Sequence, residues 1–169
     1  MRAALTPNLV LAVHPTTRGY GWILFDGPGS ALDWGVVSAR ASRSTRLLTR
    51  FERILARNRP ETLVLEDVDD ISERRGTRAT EVSRSMVHLA QRAGMRTSAF
   101  PRSAVRACFA ARGATTRADI AKAVADEIAA LRPRLPRERK PWMPEGHSQS
   151  LFDAAALAIT YYVARYYLD

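Results

Sequence analysis

Residues 8–39 read NLVLAVHPTTRGYGWILFDGPGSALDWGVVSA, and three short apolar runs in this stretch decide the fold. The runs 8–14, 19–25 and 31–39 are rich in β-branched and aromatic residues, which favours strands. The segment DGPGS at 26–30 has the composition of a tight turn. Short connections of this kind join neighbouring strands, so we expect a three-stranded antiparallel meander.

Downstream of the meander, helical and strand patterns alternate. Apolar residues recur at helical spacing over 44–58, and Pro60 then precedes the apolar run ETLVLE at 61–66. We expect further helices over 78–93, 102–112, 117–131 and 148–166, and a fifth strand over 96–100. This order predicts an α/β fold with a mixed five-stranded sheet, antiparallel and then parallel, flanked by helices.

The chain length and one unusual segment bear on domain organisation. The 169 residues suit one domain, and we expect residues 1–169 to form it. Residues 132–146, RPRLPRERKPWMPEG, are basic and rich in proline, which predicts a loop. Too little chain follows this loop to build a second core, so we interpret it as part of the same domain.

Charge gives the first indication of a partner. The 26 basic residues exceed the 17 acidic ones, for a net charge of +9, and only Lys122 and Lys140 are lysines. Arginine binds phosphate through a fork of donors, so nucleic acid is the expected partner, although a GC-rich genome would also raise the arginine content. The single cysteine, Cys108, excludes an intramolecular disulfide and a multi-cysteine zinc module. No apolar run is long enough to cross a membrane and the N-terminus does not read as a signal peptide, so we expect a cytoplasmic protein.

Polar residues follow the predicted strands at the positions where ligands gather in α/β folds. His14 ends the first strand and Glu66 ends the fourth, so they face each other if these two strands are neighbours. Asp153 lies in the otherwise apolar stretch SLFDAAALAITYY at the start of the last helix, with His147 and Ser150 just before it. A carboxylate in a first helical turn is also favoured by the helix dipole alone, so both interpretations of Asp153 stay open.

Four motifs, in this order and spacing, resemble the RuvC family of Holliday-junction resolvases, within the RNase H-like superfamily. VHPTTRGYGWILF resembles the first hairpin of that family, and LVLED resembles its fourth strand. FPRSAVRACFAARGATTRADIAKAVA resembles the segment in which a proline leads into two short helices, and SLFDAAALAIT resembles the closing helix. The resemblance runs from about residue 8 to residue 166.

The resemblance implies phosphodiester hydrolysis by two divalent cations, Mg²⁺ or Mn²⁺, held by acidic side chains. Glu66 and Asp153 match two of the four catalytic positions of the family. His14 stands where the family has its first aspartate, and Ser150 stands where it has aspartate or histidine. By the resemblance, Glu66, Asp153 and His14 are the expected metal ligands, with His147 or Ser150 near the fourth position. An imidazole cannot bridge two metals as a carboxylate does, and it favours Mn²⁺ or softer ions over Mg²⁺.

Three further groups of residues are candidates for supporting roles. An acidic segment after the fourth strand could supply a replacement carboxylate, although a solvated acidic loop is the favoured interpretation: Asp67, Asp69 and Asp70. DNA contacts are expected from arginines in the loops and helix starts near the site: Arg18, Arg74, Arg75, Arg78, Arg84, Arg112 and Arg117. Arg102 and Arg106 follow the fifth strand and belong with them. Solvated surface arginine is the alternative for each member of these sets.

The resemblance therefore implies a metal-dependent, structure-selective endonuclease that acts on branched DNA such as a Holliday junction. The resemblance also implies a homodimer. One alternative is a binding module of the same fold that has lost cleavage, because two of four catalytic positions depart from the family. A further alternative is an RNA-processing nuclease, since contacts to a 2′-hydroxyl cannot be predicted from the sequence.

Overall fold

The computed structural model of the chain describes residues 8–39, 44–69, 76–140, 142–143 and 146–167. Five strands form one sheet: β1 (Val10–Pro15), β2 (Gly19–Gly27), β3 (Ser30–Ser38), β4 (Thr62–Glu66) and β5 (Arg96–Phe100). Five α-helices accompany it: α1 (Ser44–Asn58), α2 (Thr77–Arg92), α3 (Arg102–Ala110), α4 (Arg117–Glu127) and α5 (Gln149–Tyr167). A 3₁₀-helix, Ala129–Arg134, follows α4.

The strand order is β3-β2-β1-β4-β5. β1, β2 and β3 pair antiparallel, whereas β4 is parallel to both β1 and β5. This arrangement confirms the mixed five-stranded sheet flanked by helices. It also makes β1 and β4 neighbours that point in the same direction, so the residues at their carboxyl ends lie at one edge of the sheet.

The largest departure from the expected elements is at the end of α4. The helix expected over 117–131 ends at Glu127, and the chain passes through a non-helical Ile128 into the 3₁₀-helix. Pro133 lies in that 3₁₀-helix. Proline has no backbone N–H and is not tolerated in the interior of an α-helix, so an α-helix cannot continue past Pro133 into the segment predicted as a loop.

Two apolar layers cover the two faces of the sheet. On one face Leu11, Leu63 and their neighbours pack with buried residues of α1 and α2. On the other face Val10, Ala12 and Val64 pack with α4 and α5. Because side chains alternate along a strand, His14 and Glu66 continue the second set and lie on the α5 side of the sheet.

Candidate functional site

Three of the predicted site residues converge at the carboxyl ends of β1 and β4. Nδ1 of His14 lies 3.5 Å from Oε2 of Glu66, and Nε2 of the same ring lies 3.5 Å from Oδ2 of Asp153. These distances exceed those of well-formed hydrogen bonds, so both are electrostatic contacts. The imidazole therefore separates two carboxylates that come from distant parts of the chain. We call these three residues the strand-end cluster.

The register of the parallel strands β1 and β4 explains why His14 lies beside Glu66. Ala12 is paired with Val64, so continuing the register by two residues brings His14 beside Glu66 on the same face. Both side chains are buried. The sequence prediction that these residues face each other therefore agrees with the topology of the sheet.

Gly21 brings α5 close enough to complete the cluster. It is paired with His14 across β1 and β2, and a Cβ added to it would lie 2.2 Å from the backbone carbon of Ser150. Only a residue without a side chain permits that contact. The first turn of α5 thus lies directly on the sheet, and Asp153 reaches the ring of His14.

Asp153 is also bound by a guanidinium. Nε of Arg117 donates to Oδ1 at 3.4 Å, and a terminal nitrogen of the same group donates to Oδ2. Nε2 of Gln149 donates to Oδ1 from one turn earlier in α5, at 3.1 Å. Burial raises the pKa of Asp153, but the charge of His14 and the hydrogen bond and charge of Arg117 outweigh it and hold that pKa below its ordinary value.

The start of α4 explains why Arg117 reaches Asp153. Thr116 caps the helix: its hydroxyl accepts from the backbone N–H of Asp119 at 3.1 Å, and the Asp119 carboxylate accepts from the backbone N–H of Thr116 at 3.2 Å. This reciprocal pair is a capping box, and it fixes Arg117 as the first residue of the helix. The capping box therefore sets where the backbone of Arg117 lies, within reach of Asp153.

Glu66 has a guanidinium of its own. Nε of Arg102 lies 3.5 Å from Oε1 of Glu66. Glu66 is paired with Phe100 across β4 and β5, and Pro101 then turns the chain into α3, whose first residue is Arg102. Each of the two carboxylates is thus paired with an arginine, and each of these arginines is the first residue of a helix.

This arrangement does not fit a pair of divalent cations. The two guanidiniums balance the two carboxylates, so the cluster with its arginines is neutral with an uncharged imidazole and positive with a protonated one. Mg²⁺ is held by oxygen ligands, usually one or two carboxylates together with waters and substrate phosphates, and here an arginine already engages each of the two carboxylates. Within the described ranges, no group of three or more His, Cys, Asp or Glu side chains is arranged to hold a metal ion.

The other two predicted catalytic residues line a different cavity. Ser150 is buried and His147 is exposed, and both border a space of about 380 Å³ together with Arg18 of the β1–β2 connection. The strand-end cluster borders its own cavity of about 330 Å³ on the α3 and α4 side. The structure therefore separates His147 and Ser150 from the cavity of the cluster.

The predicted DNA-contacting arginines fall into different environments. Arg78 donates to the backbone oxygen of Thr17 at 3.2 Å, which links the start of α2 to the β1–β2 connection. Arg84 is exposed and pairs with Asp69 at 3.0 Å. Arg112 bonds Glu127 and lies over the ring of Phe109. Two other predicted DNA contacts and one alternative carboxylate lie outside the described residues: Arg74, Arg75 and Asp70.

The remaining alternative carboxylates do not enter the cluster cavity. The side chain of Asp67 accepts from the backbone N–H of Asp69 at 3.0 Å, and Asp69 in turn pairs with Arg84. The side chains of both residues therefore make their contacts at the turn that follows β4. This agrees with the favoured interpretation of this segment as an acidic loop.

Sequence reasoning missed the pairing of both carboxylates with arginine and the role of Gly21. Arg117 and Arg102 were identified only as candidate DNA contacts. A signal for Arg102 was present, since Phe100-Pro101-Arg102 places an arginine just after the strand expected beside Glu66. No local pattern indicates that Arg117 lies against a residue 36 positions further along the chain.

Comparison with known proteins identifies the fold. A Thermus thermophilus RuvC structure superposes with a TM-score of 0.66 at 22% identity, covering 93% of this chain and 95% of that one. The structure of T. thermophilus RuvC in complex with a Holliday junction substrate gives 0.64 at 19% identity, with the same coverage. No protein-family model and no curated protein matches the sequence. The chain thus has the RuvC-like, RNase H-like fold that its motifs predict, and no helix in the described ranges could span a membrane.

Proposed function

We propose that this chain binds branched DNA of the four-way junction type through its arginines and does not cleave it by the two-metal reaction. One observation carries the proposal: each carboxylate of the strand-end cluster is paired with a guanidinium, so arginine engages the two carboxylates that the resemblance assigns to divalent cations. The net charge of +9 favours a polyanionic partner. The similar structure bound to a Holliday junction makes a junction the first substrate to test.

The distribution of arginine around the cluster supports binding at this edge of the sheet. Arg102, Arg106 and Arg117 line the cluster cavity, and Arg18 lines the cavity bordered by His147 and Ser150. Arg78, at the start of α2, donates to the backbone oxygen of Thr17, which lines that second cavity. Basic side chains from four parts of the chain thus surround one edge, which is the pattern of a phosphate-binding surface.

A metal-dependent endonuclease is the second candidate, and the convergence of His14, Glu66 and Asp153 favours it. These residues occupy the positions where the resemblance implies metal ligands. A divalent cation could bind there only after Arg102 and Arg117 moved away from the two carboxylates. Cleavage that requires Mg²⁺ or Mn²⁺ and is lost in Glu66→Gln would favour this candidate.

A homodimer is part of the same proposal. Two copies would present two equivalent basic edges to the arms of a junction, which has approximate two-fold symmetry. Light scattering of the purified protein, alone and with a junction, measures the stoichiometry. A complex containing one chain per junction at saturating protein would contradict the dimer and leave DNA binding intact.

Fluorescence anisotropy with a labelled four-way DNA junction tests the proposed function. The comparison substrates are a linear duplex made from the same arm sequences and an RNA junction of the same design. We expect tighter binding to the DNA junction than to the duplex, and an affinity that falls steeply as salt is raised, because arginine contacts displace counterions. Equal affinity for junction and duplex would contradict junction recognition. A preference for the RNA junction would show that the nucleic-acid partner is RNA and would contradict the proposed DNA partner.

A further inference from the structure

The cavity beside the strand-end cluster carries more positive than negative charge. Three arginines and two carboxylates line it: Arg102, Arg106, Arg117, Glu66 and Asp153. With a neutral His14 the lining keeps a surplus of one positive charge, and protonation of the ring adds another. We call this space the arginine cavity. Its surplus charge attracts an anion and repels a divalent cation.

The three arginines lie at the beginnings of two helices. Arg102 is the first residue of α3, and Arg106 follows one turn later on the same side of that helix. Arg117 is the first residue of α4. The N-terminal end of a helix carries a partial positive charge, so both helices add to the potential that the guanidiniums create in the arginine cavity.

Solvent reaches the guanidiniums more easily than the carboxylates. The side chains of Arg102 and Arg117 are 40% and 45% exposed, whereas those of Glu66 and Asp153 are 6% and 17% exposed. An anion that enters the cavity from solution therefore meets positive charge first. The carboxylates lie behind the arginines and hold them in place.

The volume and the charged lining of the cavity can admit a phosphate group of a nucleic acid. Its volume of about 330 Å³ is at the lower end of the range for ligand pockets, roughly 300–1,000 Å³. Arginine binds phosphate oxygens through paired N–H groups with defined geometry. A backbone phosphodiester offers two such oxygens and a negative charge that offsets the surplus of the lining.

We propose that the arginine cavity binds one backbone phosphodiester of the DNA directly, with guanidinium groups in place of divalent cations. This inference rests on the proposed function, since it names the ligand of the same site. In it, Arg117 exchanges part of its interaction with Asp153 for one with the phosphate. Asp153 thus competes with the DNA for the same guanidinium.

A double-mutant cycle in EDTA tests this competition. The four proteins are the wild type, Asp153→Asn, Arg117→Gln and the double variant, and the probe is the labelled four-way DNA junction. Asp153→Asn removes the carboxylate that competes with the DNA for Arg117, so it should tighten binding. Adding Arg117→Gln to Asp153→Asn should then weaken binding by about tenfold, the effect of losing one charge-assisted contact, and lower the salt slope by about one.

A matched control separates a local contact from long-range charge. Arg57 is exposed in the last turn of α1, near the start of β4 and so at the opposite edge of the sheet. Arg57→Gln, added to Asp153→Asn, removes the same charge and should change affinity by less than about twofold, since separated charges are screened. Circular dichroism and a thermal melt verify that each variant is folded. In the double variant Arg117→Gln/Asp153→Asn, two uncharged side chains replace the ion pair, so no unpaired charge is left.

The outcomes distinguish the two levels of the proposal. If the wild type fails to bind the junction in low salt, the proposed function itself is wrong. If the wild type binds but Arg117→Gln has no more effect than Arg57→Gln in the Asp153→Asn background, DNA binds elsewhere and the arginine cavity is not its phosphate site. A large effect of Arg117→Gln together with a small effect of Arg57→Gln supports the inference.

Discussion

Nε of Arg117 lies 3.4 Å from Oδ1 of Asp153, and a second nitrogen of the same guanidinium bonds the other carboxylate oxygen. From Ser150 to Tyr162 of α5, Asp153 is half-buried and every other residue is buried. The carboxylate that interrupts this apolar helix is therefore held by a fork of two donors from α4. This ion pair ties α4 to α5 beside the strand-end cluster.

Removing the guanidinium should destabilise the protein. In Arg117→Gln the largely buried Asp153 carboxylate loses its charged partner, and we expect a loss of about 1–2 kcal/mol in the free energy of unfolding, limited by the partial exposure of Arg117. Urea unfolding followed by circular dichroism measures it. Adding Asp153→Asn should recover most of the loss, because no unpaired charge is then left. An unchanged midpoint in Arg117→Gln would show that the pair contributes nothing.

The lowered pKa of Asp153 predicts a defined response to acid. Its pKa in the folded state lies below the ordinary value of 3.8, so the unfolded chain takes up a proton first as the pH falls. The contribution of the charged carboxylate is complete above that value and is lost as the pH drops through the folded-state pKa. The stability difference between the wild type and Asp153→Asn should therefore shrink as the pH falls from about 5 to about 2. A difference that grows on acidification would contradict the lowered pKa.

Gly21 provides a test of how α5 is positioned. Gly21→Ala places a methyl group 2.2 Å from the backbone carbon of Ser150, and neither backbone can move without disturbing β2 or α5. We expect a loss of at least about 3 kcal/mol in unfolding free energy, the upper range for overpacking. Gly27→Ala is the matched control, because open space surrounds Gly27 at the end of the same strand. It should change stability by less than about 0.5 kcal/mol, and similar effects of the two substitutions would refute the close contact.

Arg78 links the start of α2 to the β1–β2 connection through its bond to the Thr17 backbone oxygen. Arg78→Gln should weaken binding to the four-way junction severalfold and lower the slope of log affinity against log salt by about one, the signature of a lost phosphate contact. Arg57→Gln at the opposite edge is again the control. Anisotropy titrations at several salt concentrations measure both slopes. If the two variants had the same salt slope, Arg78 would not contact a DNA phosphate.

Most of the fold follows from local patterns in the sequence. Apolar runs predict the first four strands, and the expected helix over 44–58 coincides with α1. The sequence predicts that Glu66 and His14 lie close together, because each one ends an apolar run that predicts a strand. A proline follows His14 and an acidic segment follows Glu66, and both mark the end of the strand. The expected end of this helix at residue 131 is wrong, because apolar spacing continues through Ile128 and Leu131 although the backbone leaves the α-helix at Ile128.

The chemistry of the site is less accessible from sequence, since it depends on contacts between distant residues. The match of Glu66 and Asp153 to acidic positions of the RuvC family indicated metal ligands. Whether a carboxylate is available to a cation depends on its neighbours in space, and Arg117 lies 36 positions from the Asp153 that it bonds. Arginine is also so frequent in this chain that no single one stands out by composition.

The most direct measurement of the central claim is the metal dependence of the wild-type protein on a labelled four-way DNA junction. Binding and strand cleavage are followed in EDTA, in Mg²⁺ and in Mn²⁺ at matched ionic strength. Because Arg102 and Arg117 neutralise the two carboxylates, we predict that binding needs no divalent cation and that the DNA strands stay intact in all three buffers. Cleavage in either metal that disappears in both Glu66→Gln and Asp153→Asn would contradict the account and establish a metal-dependent nuclease.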